Sequence, residues 1–236
     1  TTRHMHEYGT TLEQWAQVAV STREWACLNP KAAYRKPITV QDVLASRPVV
    51  YPFNLLNICL VTDAGGAVVL TRPDRAKDCA KTPVWVRGTG EATEHVSLTQ
   101  MHRLTFSEAT RLSGERAFAM AGVSPRDVQH VMLYDAFTSG PPLMLEALGF
   151  AKPGEGVRLF ETGRSTPGGS LPINTNGGGL SYTHSGMYGI FPIIESVRQL
   201  RGEGGARQVP DVKRSLVNGM GGMLSAAGTL VLSNER

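Results

Sequence analysis

Val131-Met132-Leu133-Tyr134-Asp135-Ala136-Phe137-Thr138 is an apolar run that turns polar within one residue. Val131–Tyr134 predicts a buried strand, and the residues after it predict a helix ending near Leu148. The same strand-then-helix order extends outward. Upstream, Val84–Glu94 predicts a strand and Ser107–Ala121 a helix, stopped by Gly122 at its C-terminal cap. Ser124-Pro125-Arg126-Asp127 opens a short helical turn, with Pro in its favoured early place. Downstream, Leu171–Asn174, Arg214–Asn218 and Thr229–Ser233 predict strands, and Met187–Arg201 a helix. Strands that alternate with helices predict an α/β layered fold.

Before Val84 the alternation is absent. Thr11-Leu12-Glu13-Gln14 reads as a capping box, in which Thr11 and Gln14 each satisfy a free amide donor. Leu12, Trp15, Ala16, Ala19 and Ala26 then recur near helical spacing, until Asn29-Pro30 stops the helix. Residues 30–57 read as irregular, with one short helical candidate at Val40–Ser46. Ile58–Val61 is an apolar run that puts Cys59 in the core as a strand residue. Asp63–Gly66 reads as a turn or helix entry, Ala67–Leu70 as a β-branched strand, and 71–83 as a Pro-bounded linker.

Composition narrows the class. The 236 residues are 41% hydrophobic and 19% charged, the balance of a folded globular protein. A net charge of +4 without a Lys/Arg run argues against nucleic-acid binding and suits an anionic small ligand. Cys27, Cys59 and Cys79 offer neither a disulfide framework nor a CxxC metal pair, so a reduced, cytoplasmic setting is expected. No stretch approaches the ~20 apolar residues of a membrane span. His4 and His6 flank Met5 without the acidic or thiol partners of a metal site, so no metal is expected. Residue 1 is Thr, and the start is expected to be a boundary made by processing or cloning.

The densest chemistry lies in Asn174-Thr175-Asn176-Gly177-Gly178-Gly179-Leu180-Ser181-Tyr182-Thr183-His184-Ser185-Gly186-Met187-Tyr188-Gly189. Its glycines let a backbone approach a ligand closely, and a helix start behind it can point amides at an oxyanion. A tight strand-to-helix connection with an incidental His184 fits the spacing equally well. Tyr134 likewise reads either as a strand-end residue with its hydroxyl in solvent or as an acid, base or oxyanion donor.

Asn176-Gly177-Gly178, five residues and His184 resembles a thiolase motif, with Thr183 and Ser185 in place of the usual flanking Gly and Pro. Tyr134-Asp135-Ala136-Phe137 resembles the thiolase Asn-Glu-Ala-Phe motif and its lipid-transfer-type relative His-Asp-Cys-Phe. His4-Met5-His6-Glu7-Tyr8-Gly9 resembles the entry to the CoA-binding loop domain. Thr62-Asp63-Ala64-Gly65-Gly66-Ala67 resembles the turn closing the first thiolase half. Asn218-Gly219-Met220-Gly221 falls where condensing thiolases carry Cys-x-Gly.

The chain thus resembles the C-terminal three-fifths of a sterol-carrier or lipid-transfer-type thiolase, on the branch of steroid side-chain aldolases. The resemblance implies a mixed sheet covered by helices over residues 84–236. It makes residues 1–83 a remnant of the first half, with about 150 residues before them bearing the nucleophilic cysteine. It implies catalytic roles for Tyr134 and His184, aided by Tyr182 or Tyr188. Contacts to coenzyme A are implied for His6, Asn176, Gly177, Gly178 and Gly179. The implied activity is carbon–carbon bond chemistry on an acyl-CoA, by retro-aldol cleavage of a β-hydroxyacyl-CoA or thiolase-type acyl transfer. The alternative is a non-catalytic thiolase-like subunit or truncated fragment that serves as a partner-binding scaffold. A homodimer and a small OB-fold, zinc-ribbon partner are the implied associates.

Overall fold

The computed structural model describes residues 1–236. Its first part is α1 (Thr2–Tyr8), α2 (Leu12–Cys27), α3 (Val40–Ala45), a hairpin of β1 (Pro48–Val50) and β2 (Phe53–Asn54), and the single turn α4 (Pro73–Ala76). The alternating part follows as β3 (Trp85–Thr93), α5 (Glu108–Ala121), β4 (His130–Leu133), α6 (Gly140–Ala147), α7 (Arg158–Glu161), α8 (Ile190–Leu200), β5 (Arg214–Gly221) and β6 (Ala226–Ser233). The capping box at Thr11 and Gln14 forms as expected, with both reciprocal bonds present.

One mixed sheet organises the chain. Its order is β3-β6-β5-β4, antiparallel except for the parallel pair β4/β5. Strand alternation sends Val131, Leu133, Leu216 and Val231 to one face, where they meet Ala117 and Phe118 of α5 and Met144 and Leu145 of α6. Met132, Val217 and Leu232 go to the other, against Trp25 of α2 and Leu200 of α8. Both faces of β4 are therefore covered, which is why Val131–Leu133 reads as an uninterrupted apolar run.

Several expectations change in the structure. Leu171–Asn174 is reduced to one parallel bridge, Ile173 beside Val131, because Asn174 turns to a φ of 53° and leaves the strand direction. Ala67–Leu70 forms no strand. No other strand lies beside it to pair, and Val69 and Leu70 are 94% and 81% exposed. Cys59 is half-buried and lies outside any strand, its N–H donating to the Ala136 carbonyl at 2.8 Å. Its apolar neighbours reflect packing against the loop after β4, where Ile58 bridges Phe137. The β1/β2 hairpin and α7 carry no signal strong enough to be read beforehand. Helix α8 starts three residues later than expected, after the glycine-containing turn at 185–189.

Helix α5 lies unusually close to β3, and Gly90 permits it: a Cβ there would run into the Ser113 carbonyl oxygen and crowd Arg116. Gly90→Ala is expected to destabilise the protein by about 1–3 kcal/mol, since backbone rather than a flexible side chain must yield. Chemical denaturation of the two proteins measures this; equal midpoints would mean that α5 is free to slide.

Candidate active site

Strand β4 delivers Tyr134 to the carboxyl edge of the sheet, where its N–H donates to the Asn218 carbonyl at 3.1 Å. The next residue, Asp135, is fully buried. Its Oδ1 accepts the Gly179 N–H at 2.6 Å and its Oδ2 the Leu180 N–H at 3.4 Å. Those two amides begin a π-helical turn, Gly178–Tyr182, closed by Tyr182 N–H to the Gly177 carbonyl and Thr183 N–H to the Gly178 carbonyl. Gly178 sits at a φ of 62° with Asp135 where a Cβ would stand, so only glycine fits.

The turn hands over to His184, whose N–H donates to Thr62 Oγ1 at 3.0 Å. Thr62 in turn lies 2.7 Å from Thr183 Oγ1. His184 Nε2 is thereby set 3.2 Å from the Tyr134 hydroxyl. Tyr188 stacks on His184 with ring centroids 5.8 Å apart and planes 13° from parallel. Its hydroxyl donates to Asn176 Oδ1 at 3.3 Å, the same oxygen that accepts the Gly178 N–H. Of the two tyrosines that the sequence left open, Tyr188 thus joins the pair, while Tyr182 packs edge-on against Phe191.

Tyr134 and Tyr188 line a cleft of about 340 Å³ with Met187, Met220 and Leu224 and the glycines of 186–189 and 219–222. The N–H groups of Gly186 and Met187 donate to no backbone carbonyl. The amides of Gly177, Gly178 and Gly179, by contrast, are all donated within the protein, and Asn176 and the three glycines are buried. His6 is on the exposed face of α1, without a hydrogen bond or ring contact to this group. His4, two residues earlier, is buried, 2.8 Å from Thr10 Oγ1. Thr62 and the carboxyl of Asp135 were not singled out from sequence. A Thr before an Asp-Ala-Gly turn looks like any loop residue, and only the fold brings it to position 184.

Burial dominates the electrostatics. It pushes the Tyr134 hydroxyl above its ordinary value, helped by the nearby Cys59 thiol and Asp135 carboxyl. It lowers His184 below the ordinary imidazole value, leaving the ring neutral near pH 7. Tyr188 is raised well above the usual phenol range. Asp135 is raised to about 7, burial outweighing the amides it accepts. A neutral imidazole against a neutral phenol shares one hydrogen bond with no net charge, an arrangement chemically able to pass a proton.

His130 on β4 is buried as well, and burial lowers it to about 4. The two groups act on stability in opposite directions. The raised Asp135 stabilises most below its ordinary carboxylate range and loses that contribution as pH rises toward 7. The depressed His130 stabilises above about 6.5 and loses its contribution as pH falls toward 4. Over the shared window the contributions offset each other. Asp135→Asn removes one, so the variant should gain stability with rising pH at about 1.4 kcal/mol per unit relative to the parent. Urea midpoints at several pH values between 4 and 7 read the slope. Parallel profiles would mean that Asp135 is ionised throughout.

The family described as thiolase C-terminal domain-like matches residues 90–234. The chain is 37% identical over 232 residues to an acetyl-CoA acetyltransferase of Methanothermobacter thermautotrophicus, covering 98% of this chain and 61% of that protein. It is 37% identical over 239 aligned positions to a steroid side-chain-cleaving aldolase of Thermomonospora curvata, covering 99% and 60%. Among solved structures, one described as the Ltp2-ChsH2(DUF35) aldolase superposes with a TM-score of 0.92 at 34% identity, over all of this chain and 62% of that one. The chain therefore spans about three-fifths of the length of the curated relatives it matches. With its mixed sheet, its buried aspartate behind the glycine turn and this agreement over most of its length, the chain belongs to the thiolase family.

Proposed function

We propose that this chain carries the proton-transfer machinery of an acyl-CoA enzyme that cleaves a β-hydroxyacyl-CoA by a retro-aldol reaction. The carrying observation is the Tyr134 hydroxyl 3.2 Å from a neutral His184 Nε2, beside a cleft. Because burial raises Tyr134, tyrosinate is a costly resting base, and a relay suits the pair better. The substrate β-hydroxyl gives its proton to the Tyr134 oxygen as Tyr134 gives its own to His184 Nε2. The Cα–Cβ bond breaks, a carbonyl forms at Cβ, and the electron pair leaves as the thioester enolate. The free N–H groups of Gly186 and Met187 are the donors for the enolate oxygen. Return of the proton through the same pair to Cα completes an acyl-CoA and restores neutrality.

In this reading Asn176, Gly177, Gly178 and Gly179 hold the wall behind His184 that the bound coenzyme A thioester faces. The solvent-exposed His6 is assigned to the outer part of the CoA. Thiolase-type acyl transfer would need a thiolate and a second acid/base group, and β5 ends in Asn218-Gly219-Met220-Gly221 without one. The substrate and partners are properties of the whole protein. A complex with a DUF35 partner, of the kind that the superposing Ltp2-ChsH2(DUF35) aldolase forms, and a homodimer are proposed for it. The exposed apolar residues Val61, Val69 and Leu70 support such association. No helix is long and apolar enough to cross a membrane, and we place the enzyme in the cytoplasm.

Tyr134→Phe keeps the ring and removes the relayed proton. In the complete enzyme it should lower turnover of a β-hydroxyacyl-CoA by about 10²-fold or more, with substrate affinity largely kept. Undiminished cleavage by the variant, or an acyl-cysteine trapped on the parent during turnover, would sink the mechanism.

A further inference from the structure

We infer that Thr175 is a positioning residue for the Tyr134–His184 pair, held by a buried polar chain that ends in the Glu195–Arg207 ion pair. Thr175, His130, Glu195 and Gln199 are all at least 98% buried, and Arg207 is 93% buried. Arg207 grips Glu195 through two bonds of 2.9 Å, Nε to Oε1 and Nη2 to Oε2. Burial works to raise the Glu195 carboxyl, but Arg207 outweighs it and holds the group ionised.

An ionised carboxylate only accepts hydrogen bonds, and this fixes the direction of the bonds at Thr175. The Thr175 hydroxyl must donate to Glu195 Oε1, 2.9 Å away. Its oxygen is then left to accept, from His130 Nε2–H at 2.9 Å and from the Gln199 side-chain amide at 3.3 Å. His130, with its proton on Nε2, keeps Nδ1 2.7 Å from Ser215 Oγ, which also lies 2.8 Å from Ser196 Oγ. Thr175 is thus bound from three sides and has one rotamer.

A buried ion pair adds little net stability over apolar packing of the same volume. What a directional network adds is a single arrangement. Here the arrangement is passed to Asn176, the next residue, whose own carbonyl is held by Asn29 Nδ2 at 2.8 Å. Asn176 Oδ1 takes the Tyr188 hydroxyl, Tyr188 stacks on His184, and His184 meets Tyr134. Each step from Arg207 to Tyr134 is a contact or a peptide bond.

The test uses this chain with labelled histidines and rests only in part on the proposed function. The His184 ring signals are assigned by their loss in His184→Gln. Tyr134, Tyr188 and, behind Gly179, Asp135 are the titratable groups around that ring. Thr175→Val keeps the shape and removes the hydroxyl. It should stay folded while the His184 midpoint rises toward the ordinary imidazole value of about 6.5 as the turn loosens and admits water. Thr175→Ser should restore the parent midpoint. Arg207→Lys, which keeps the charge and loses the two-pronged grip, should shift the midpoint the same way if Thr175→Val fails to fold. A folded Thr175→Val or Arg207→Lys protein with unshifted His184 signals, or a Thr175→Ser protein as shifted as Thr175→Val, overturns the inference. In the complete enzyme the same variants should lower kcat with little change in KM. Shifted His184 signals with no catalytic effect would count against the proposed reaction and leave the positioning role standing.

Discussion

The buried carboxyl of Asp135 is the constraint on which the rest of the site depends. It occupies the space that any side chain at residue 178 would take, and it receives the Gly179 and Leu180 amides of the π-helical turn. A fully buried acid is costly unless its oxygens are satisfied, so the turn and the carboxyl need each other. Tyr134 precedes Asp135 on one segment, and His184 follows the turn on the other. The hydrogen bonds between the segments therefore set the distance between the Tyr134 and His184 side chains. Moving Asp135 would move both.

The second requirement is met by a segment with almost no regular structure. Residues 58–62 run between the loop after β4 and the glycine turn. Cys59 N–H donates to Ala136, Leu60 N–H to the Gly179 carbonyl, and Thr62 receives the His184 N–H. This lacing joins the two motif-bearing loops from the side opposite to Asp135. It also explains the electrostatics, because closing both sides removes water from Tyr134 and His184 and pushes their pKa values apart.

The sheet and its helices were largely legible because β4 is buried on both faces and α2 and α5 open on side-chain caps. Val131–Tyr134 could hardly be anything but a core strand, and Thr11 with Gln14 announces α2. Tyr134 and His184 were legible as well, and the structure joins them by a hydrogen bond. What could not be read was partnership. Ala67–Leu70 has the composition of a strand, but a strand exists only beside another, and composition says nothing of neighbours. The glycines at 177–179 read as backbone that a ligand can approach, but spacing alone does not show that their own amides are donated inside the protein. Tyr182 and Tyr188 are indistinguishable by spacing, and separate only once the π-helical turn rotates one away from His184.

That turn has a bearing on how such sequences can change. An α-helical residue advances the chain by about 100° around the axis. A turn closed by bonds spanning five residues holds one residue more than an α-turn would. Loss of a single residue between Gly177 and Thr183 would let it relax to ordinary helix. Everything after it would then swing round by about that angle, carrying His184 off Tyr134. Beyond Gly178 and Gly179, where a Cβ would meet Asp135 and His184, side chains along the turn can drift, but its length cannot, so natural variants there should differ by substitution and almost never by insertion or deletion.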